Sequence, residues 1–225
     1  ELAAPSDPYR STSHTLTVCE RKPGVVEMSV IVSFLAKNFI PPTVLCVLER
    51  LYLPKFLPSL TALSPLLPVP KLYGSVILIN VIGSAFFTVF LGVKVGGARK
   101  AAIEKAKKEG DPDAEARFSY PKMYAEGFSA EAKQFNCVQR AHQHTLETYT
   151  SMIAMSLIGG LTQPVVTALA GLLWIVARAK WSAGYSTGEP GNRYDRSGGW
   201  GRHIWTALLW LIITCASTSV QLLVF

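Results

Sequence analysis

The run Phe135-Asn136-Cys137-Val138-Gln139-Arg140-Ala141-His142-Gln143-His144-Thr145-Leu146-Glu147 packs ionisable and hydrogen-bonding side chains directly ahead of an apolar stretch. Such groups at the mouth of a membrane helix are costly unless they pair with one another or with a ligand. On a helix turning about 100° per residue, Asn136, Arg140, Gln143, His144, Glu147 and Ser151 share one face, and His142 looks the other way. Arg140, His144 and Glu147 can therefore address one polar ligand, or each other. Further along, Arg178, Trp181, Ser182 and Tyr185 share a face from which Lys180 points away.

These residues need a frame that brings them together, and the composition says what kind. The 225 residues are 49% hydrophobic and 16% charged, with a mean hydropathy of +0.28. An average soluble domain carries about 25% charged residues. The apolar residues are also bunched, which places the chain in the membrane class. The formal charge of +7 sits beside apolar spans and carries no nucleic-acid-binding motif, so it reads as orientation in a bilayer. Cys19, Cys46, Cys137 and Cys215 show neither a CxxC pair nor a Cys/His metal spacing, so neither a metal site nor a disulfide framework is expected. The first residue is Glu1 and not Met, which fits a processed or partial chain with a targeting peptide removed.

Crossing a hydrocarbon core takes about 20 residues. Residues 72–95, 134–158, 164–181 and 203–225 satisfy this. Gly159-Gly160 and the short run to Pro164 make a tight turn between the second and third spans. The expectation is an all-α integral membrane protein, an antiparallel four-helix bundle. The loop 98–133 carries eight lysines and arginines, and the loop after span three carries Arg193, Arg196 and Arg202, while the turn 159–163 carries no charge. The two basic loops face the cytosol or its organellar equivalent. Residues 101–108 continue span one as a solvated helix, broken at Gly110-Asp111-Pro112.

Residues 1–70 form a separate extension. Residues 1–24 look like a polar tail. The short apolar runs 25–36 and 43–52, split by Pro41-Pro42, suit one or two membrane-surface helices, with a fifth, proline-kinked span over 25–48 as the alternative. Residues 57–70 are too rich in Pro for a continuous helix.

Antiparallel packing brings Arg99, Arg140, Arg178 and Arg193 to one membrane level, with Glu147 about 10 Å below Arg140 at the helical rise. The planar guanidinium fork grips carboxylates through paired hydrogen bonds. Several arginines with one deeper carboxylate suit a small ligand bearing several carboxylates and one amino group, a pattern that glutathione has. A guanidinium near its thiol favours the nucleophilic thiolate. A lipophilic second substrate would enter from the bilayer. The same residues also admit a structural account: Arg99 and Arg193 as interfacial anchors, Arg140 and Glu147 as an ion pair, Trp181 and Tyr185 as an aromatic belt.

From Lys71 onward the chain resembles the MAPEG superfamily of membrane glutathione enzymes, most of all its type 3 microsomal glutathione S-transferases. The resemblance rests on Ala98-Arg99-Lys100, Tyr120-Pro121-Lys122-Met123-Tyr124, the opening run through Gln143, Thr145-Leu146-Glu147, Trp174-Ile175-Val176 with Arg178, Gly184-Tyr185 and Thr187-Gly188-Glu189-Pro190, in the family's order. It implies a homotrimer with glutathione between neighbouring subunits near the cytosolic face, and glutathione transferase and lipid-hydroperoxide peroxidase activity. Relatives include leukotriene-C synthase and a non-catalytic lipoxygenase-activating protein. By position Arg99, Arg140, His144, Glu147, Arg178 and Tyr185 form the glutathione-holding set, and Arg193 stands nearest to the thiol-activating arginine, beside Tyr185. The endoplasmic reticulum or a mitochondrial membrane is the expected location.

Four departures accompany the resemblance. His144 stands in place of Asn and Trp181 in place of Tyr. The loop 101–119 is longer, and residues 1–70 have no counterpart. Two expectations follow: a glutathione transferase or peroxidase, or a MAPEG-fold accessory subunit that docks on a larger membrane assembly through its extension.

Overall fold

The computed structural model describes residues 28–224, so the expected polar tail at residues 1–24 lies outside it. Five long helices account for most of the described residues: α1 (Met28–Phe56), α2 (Tyr73–Lys108), α3 (Ala130–Gly159), α4 (Pro164–Tyr185) and α5 (His203–Val224). Helices α2 to α5 are the expected bundle. Segments Val32–Phe56, Tyr73–Lys108, Pro164–Tyr185 and Trp200–Val224 are each long and apolar enough to cross a membrane. Helix α3 runs beside them but is the polar member, since its first half carries the opening run.

Side-chain contacts fix the register. Tyr73 Oη donates to the Leu157 carbonyl, Asn80 Nδ2 to Ser156 Oγ, and Ser84 Oγ lies 3.2 Å from Tyr149 Oη. His142 then meets Gly92. Rising numbers on α2 pair with falling numbers on α3, so the two are antiparallel. Along α3 and α5, His144 pairs with Trp205 and Met155 with Cys215, so those two run parallel, as an up-and-down bundle requires.

The burial pattern is that of a protein in lipid. Phe86, Val89, Phe90 and Val93 of α2 are exposed, whereas Asn80, Ser84, Thr145, Ser156, Thr167 and Arg178 are buried. Apolar side chains face outward and polar ones pair inside, which hydrocarbon favours and water does not. A π-helical stretch, Ile77–Gly83, interrupts α2 around buried Asn80.

The local signals for helix ends hold. Helix α3 begins at Ser129, whose Oγ accepts from the Ala132 amide at 3.1 Å, and stops at Gly159; Pro164 opens α4. The extension of α2 runs to Lys108, and Gly110 turns the chain in the left-handed region at φ 82°. Beyond the membrane that extension is held by Lys105 on Glu131 (2.5 Å) and Lys107 on Glu115, whose carboxyl the lysine holds below its usual range.

One expectation changes. Pro41 and Pro42 do not split the extension into two surface helices: both lie inside the single helix α1. Asn38 Nδ2 donates to the Phe34 carbonyl and Thr43 Oγ1 to the Phe39 carbonyl, so side chains from either side of the prolines bond the backbone that precedes them. The helix is also clamped from outside. Thr206 Oγ1 of α5 donates to Asn38 Oδ1, and Glu49 accepts from the backbone of α4. Its length matches the alternative of a proline-containing span. Residues 57–70 form only a short turn of helix, Pro58–Thr61, and irregular chain, as their prolines dictate.

Candidate functional site

Arg178 is the centre of the site. It is fully buried, with 0% of its surface exposed. Its Nη1 donates to His144 Nδ1 at 2.7 Å and its Nη2 to Thr148 Oγ1 at 2.8 Å, so α3 supplies both acceptors. The rings of Trp174 and Trp181, one turn either side of it on α4, each lie 5.3 Å from the guanidinium carbon, a cation–π enclosure. His144 stacks on Trp181 with centroids 4.9 Å apart at 28°. The two residues read from the sequence as departures are therefore in contact, and they form one wall around Arg178. Because arginine only donates, His144 Nδ1 is the acceptor and Nε2 carries the proton.

The stack continues outward. Trp181 and Tyr185 have ring centroids 5.1 Å apart, and Arg193 lies 5.4 Å from the Tyr185 ring and 5.2 Å from that of Tyr194. Arg193 Nη1 also donates to the Pro190 carbonyl at 2.7 Å. Gly184 lets this loop settle on α4: a Cβ there would stand 2.3 Å from the Asn192 carbonyl oxygen.

The face read from α3 divides in two. His144, with Thr148 one turn on, turns into the bundle. Arg140 and Glu147 turn out and pair with each other in a two-pronged ion pair, with 44% and 51% of their side chains exposed. Asn136 is used by the loop, accepting from the Ala125 amide at 2.7 Å and donating to its carbonyl at 2.9 Å. That clasp helps shape a cavity of about 440 Å³ between the loop and α3, lined by Tyr124, Asn136, Cys137, Arg140, Gln143 and Tyr185.

Arg99 has an enclosure of its own. It is 5% exposed, sits over the rings of Tyr120 and Phe135, and donates to the carbonyls of Phe118 and Lys122. The structure thus joins His144, Arg178, Trp181, Tyr185 and Arg193 in one chain of contacts, sets Arg140 and Glu147 at its open edge, and places Arg99 on the loop 118–122. Thr148 and Tyr194 were not singled out from the sequence, and Trp174 was noted there only as part of the resemblance. Thr148 was the most findable, being one helical turn from His144.

Residues 77–217 match the MAPEG family, well over half of the chain, and the chain belongs to that family. The family is one of membrane proteins with glutathione transferase, peroxidase and eicosanoid-related activities, whose members use glutathione as co-substrate. Helix α1 lies outside the match.

Proposed function

We propose that this protein is an integral membrane glutathione transferase or peroxidase of the type 3 microsomal kind, acting on hydrophobic electrophiles or lipid hydroperoxides. One observation carries the reading: Arg140 and Glu147 form an exposed ion pair beside a cavity that Tyr185 also lines. An ion pair open on one side is complementary to an amino-acid zwitterion. The Arg140 fork takes its carboxylate and Glu147 takes its ammonium, so the γ-glutamyl end of glutathione fits both at once. Residues Arg99 and Arg178 already have protein acceptors for their terminal nitrogens, but the buried Nε of each has no partner among the described residues. They supply fixed positive charge to the site. His144 holds the Arg178 fork in place.

The thiolate of glutathione supplies the nucleophile or the reducing equivalents. Arg193 and Tyr185 set a guanidinium and a phenol side by side where that sulfur is to be held ionised. A homotrimer with glutathione between neighbouring subunits completes this reading. The endoplasmic reticulum or a mitochondrial membrane remains our proposed location.

A second reading has its own observation. His144 and Trp181 fill the space around Arg178 with a stacked pair, which suits a MAPEG scaffold kept as an accessory subunit, with α1 as its docking helix. Titrating the protein in detergent with glutathione, while following thiolate absorbance and conjugation of a hydrophobic electrophile, separates the two. Saturable binding with turnover supports the enzyme; no binding at millimolar glutathione rejects it.

A further inference from the structure

The stretch that joins α1 to α2 has a chemistry of its own. No residue between Lys55 and Lys71 is charged, and four of residues 57–70 are proline. Its large apolar side chains are turned outward: Phe56 is 76% exposed, Leu63 63%, Leu66 89% and Leu67 59%. An exposed apolar patch of this kind marks a membrane or protein contact. It lies ahead of the family match, so it belongs to this chain's extension.

The depth of the stretch names what covers it. Asn38 pairs with Thr206 at the start of α5, beside the basic loop, and Glu49 with Val165 at the start of α4, beside the uncharged turn. Helix α1 therefore enters on the basic side and leaves on the other. Its 29 residues span about 43 Å at the helical rise, the thickness of a bilayer with its headgroups. On α2, Tyr73 and the exposed Val93 near the basic side are about 30 Å apart at the same rise, the thickness of the hydrocarbon core. Both helices deliver residues 57–70 to the hydrocarbon boundary of the uncharged face. Residues 1–27 join α1 at the opposite face. The stretch also links the outward apolar side chains Val47 and Leu51 of α1 to Ile77 and Leu78 of α2, so it continues the lipid-facing surface.

The backbone is suited to that place. Polar backbone groups next to hydrocarbon are costly unless bonded within the protein. The Ser64 amide donates to the Val69 carbonyl at 2.8 Å, that of Lys71 to Ala62 at 3.0 Å and that of Leu72 to Leu60 at 3.2 Å. The Leu66 amide donates to Ser64 Oγ at 3.2 Å. Pro58, Pro65, Pro68 and Pro70 bring no amide hydrogen. The stretch thus closes on itself and keeps its leucines outside.

We propose that residues 56–70 are a membrane anchor, lying in the bilayer interface of the uncharged face with Leu63, Leu66 and Leu67 among the first carbons of the acyl chains. With no charge between the bounding lysines, the anchor takes neutral phospholipid as readily as anionic. It ties the end of α1 to the start of α2 and fixes the depth of the extension.

The test uses the full chain in phosphatidylcholine vesicles that carry a photoreactive diazirine near the carbonyl end of one acyl chain. After irradiation, label is expected in the peptide 56–70 and not in the aqueous segment 109–117. Exchanging part of the lipid for phosphatidylglycerol leaves that label unchanged. Leu66→Asp with Leu67→Asp lowers it by about tenfold, while label on the outer face of α2 stays the same. Label on 56–70 no higher than on 109–117 overturns the proposal. So does crosslinking of 56–70 to a second copy, to residues 1–27 or to another protein. Label that appears only with phosphatidylglycerol rejects an apolar anchor. The unsubstituted chain decides each of these, so a variant that fails to fold leaves the test intact.

Discussion

Arg178 Nη1 donates to His144 Nδ1 at 2.7 Å, and the imidazole that receives it lies flat against Trp181. Position 144 therefore does two jobs, acceptor and stacking partner, and substitutions separate them. His144→Phe keeps the stack but leaves one guanidinium nitrogen of a fully buried arginine without an acceptor. The expected loss is about 1–3 kcal/mol, seen as a lower thermal unfolding temperature in detergent. His144→Asn restores an acceptor oxygen and should lose less. A His144→Phe protein as stable as the parent would show that the bond contributes nothing.

Arg140 and Glu147 predict the opposite separation. Their ion pair is open to the surface, and exposed pairs contribute little to stability. Arg140→Ala and Glu147→Gln should therefore unfold at the parent's temperature. If the pair receives the glutathione zwitterion, each variant loses a charge-assisted bond to the ligand, and the dissociation constant rises by about ten- to a hundredfold. Isothermal titration with glutathione in detergent measures it. Unchanged affinity in both variants would remove the pair from the binding site.

Local chemistry made much of the frame legible from sequence. Gly159-Gly160 before Pro164 and Gly110 after a Lys/Glu helix mark helix ends because turn geometry is written in the turn residues themselves. The membrane class followed from composition. The α3 face was legible as a face, but periodicity cannot say which edge a neighbouring helix covers. So His144 inside and Arg140 outside had to come from packing. Pro41-Pro42 misled for a similar reason. The rule that proline breaks a helix is local, whereas Asn38 and Thr43 bond the backbone around it and α5 and α4 grip it from outside. Thr148 is one hydroxyl among several on α3 until Arg178 is placed opposite.

The interior of the bundle gives a coupled prediction. Asn80 Nδ2 donates to Ser156 Oγ and to the Thr167 carbonyl, both at 2.9 Å, and its Oδ1 would stand 2.0 Å from a Cβ on Gly171. Gly171→Ala alone pushes that amide out of its bonds and should destabilise by about 1–3 kcal/mol. Asn80→Ala removes the amide and its bonds. In the double variant the new methyl occupies space the amide has vacated, so the two losses are less than additive. Unfolding temperatures of the four proteins in one detergent close the cycle; strict additivity would mean that the two residues do not share that space.

The last prediction concerns how the extension is fastened. Helix α4 starts at Pro164, which has no amide hydrogen, and Gln163 provides no side-chain cap. The first amides needing acceptors are those of Val165 and Val166, and Glu49 of α1 takes both, one on each carboxylate oxygen at 2.8 Å. A carboxylate is favoured there by the positive end of the helix dipole as well as by the two bonds. The cap of one helix is thus carried by another, so the start of α4 and the docking of α1 are expected to loosen together. Glu49→Ala should cost about 0.5–2 kcal/mol, the range for loss of an N-cap. At the upper end this speeds hydrogen exchange at Val165 and Val166 by about tenfold or more. Glu49→Gln keeps one acceptor and should fall between. Exchange measured by mass spectrometry on peptides covering the start of α4 and the second half of α1 reports both sides. Faster exchange in α4 with α1 unaffected would show that the cap does not hold the two helices together.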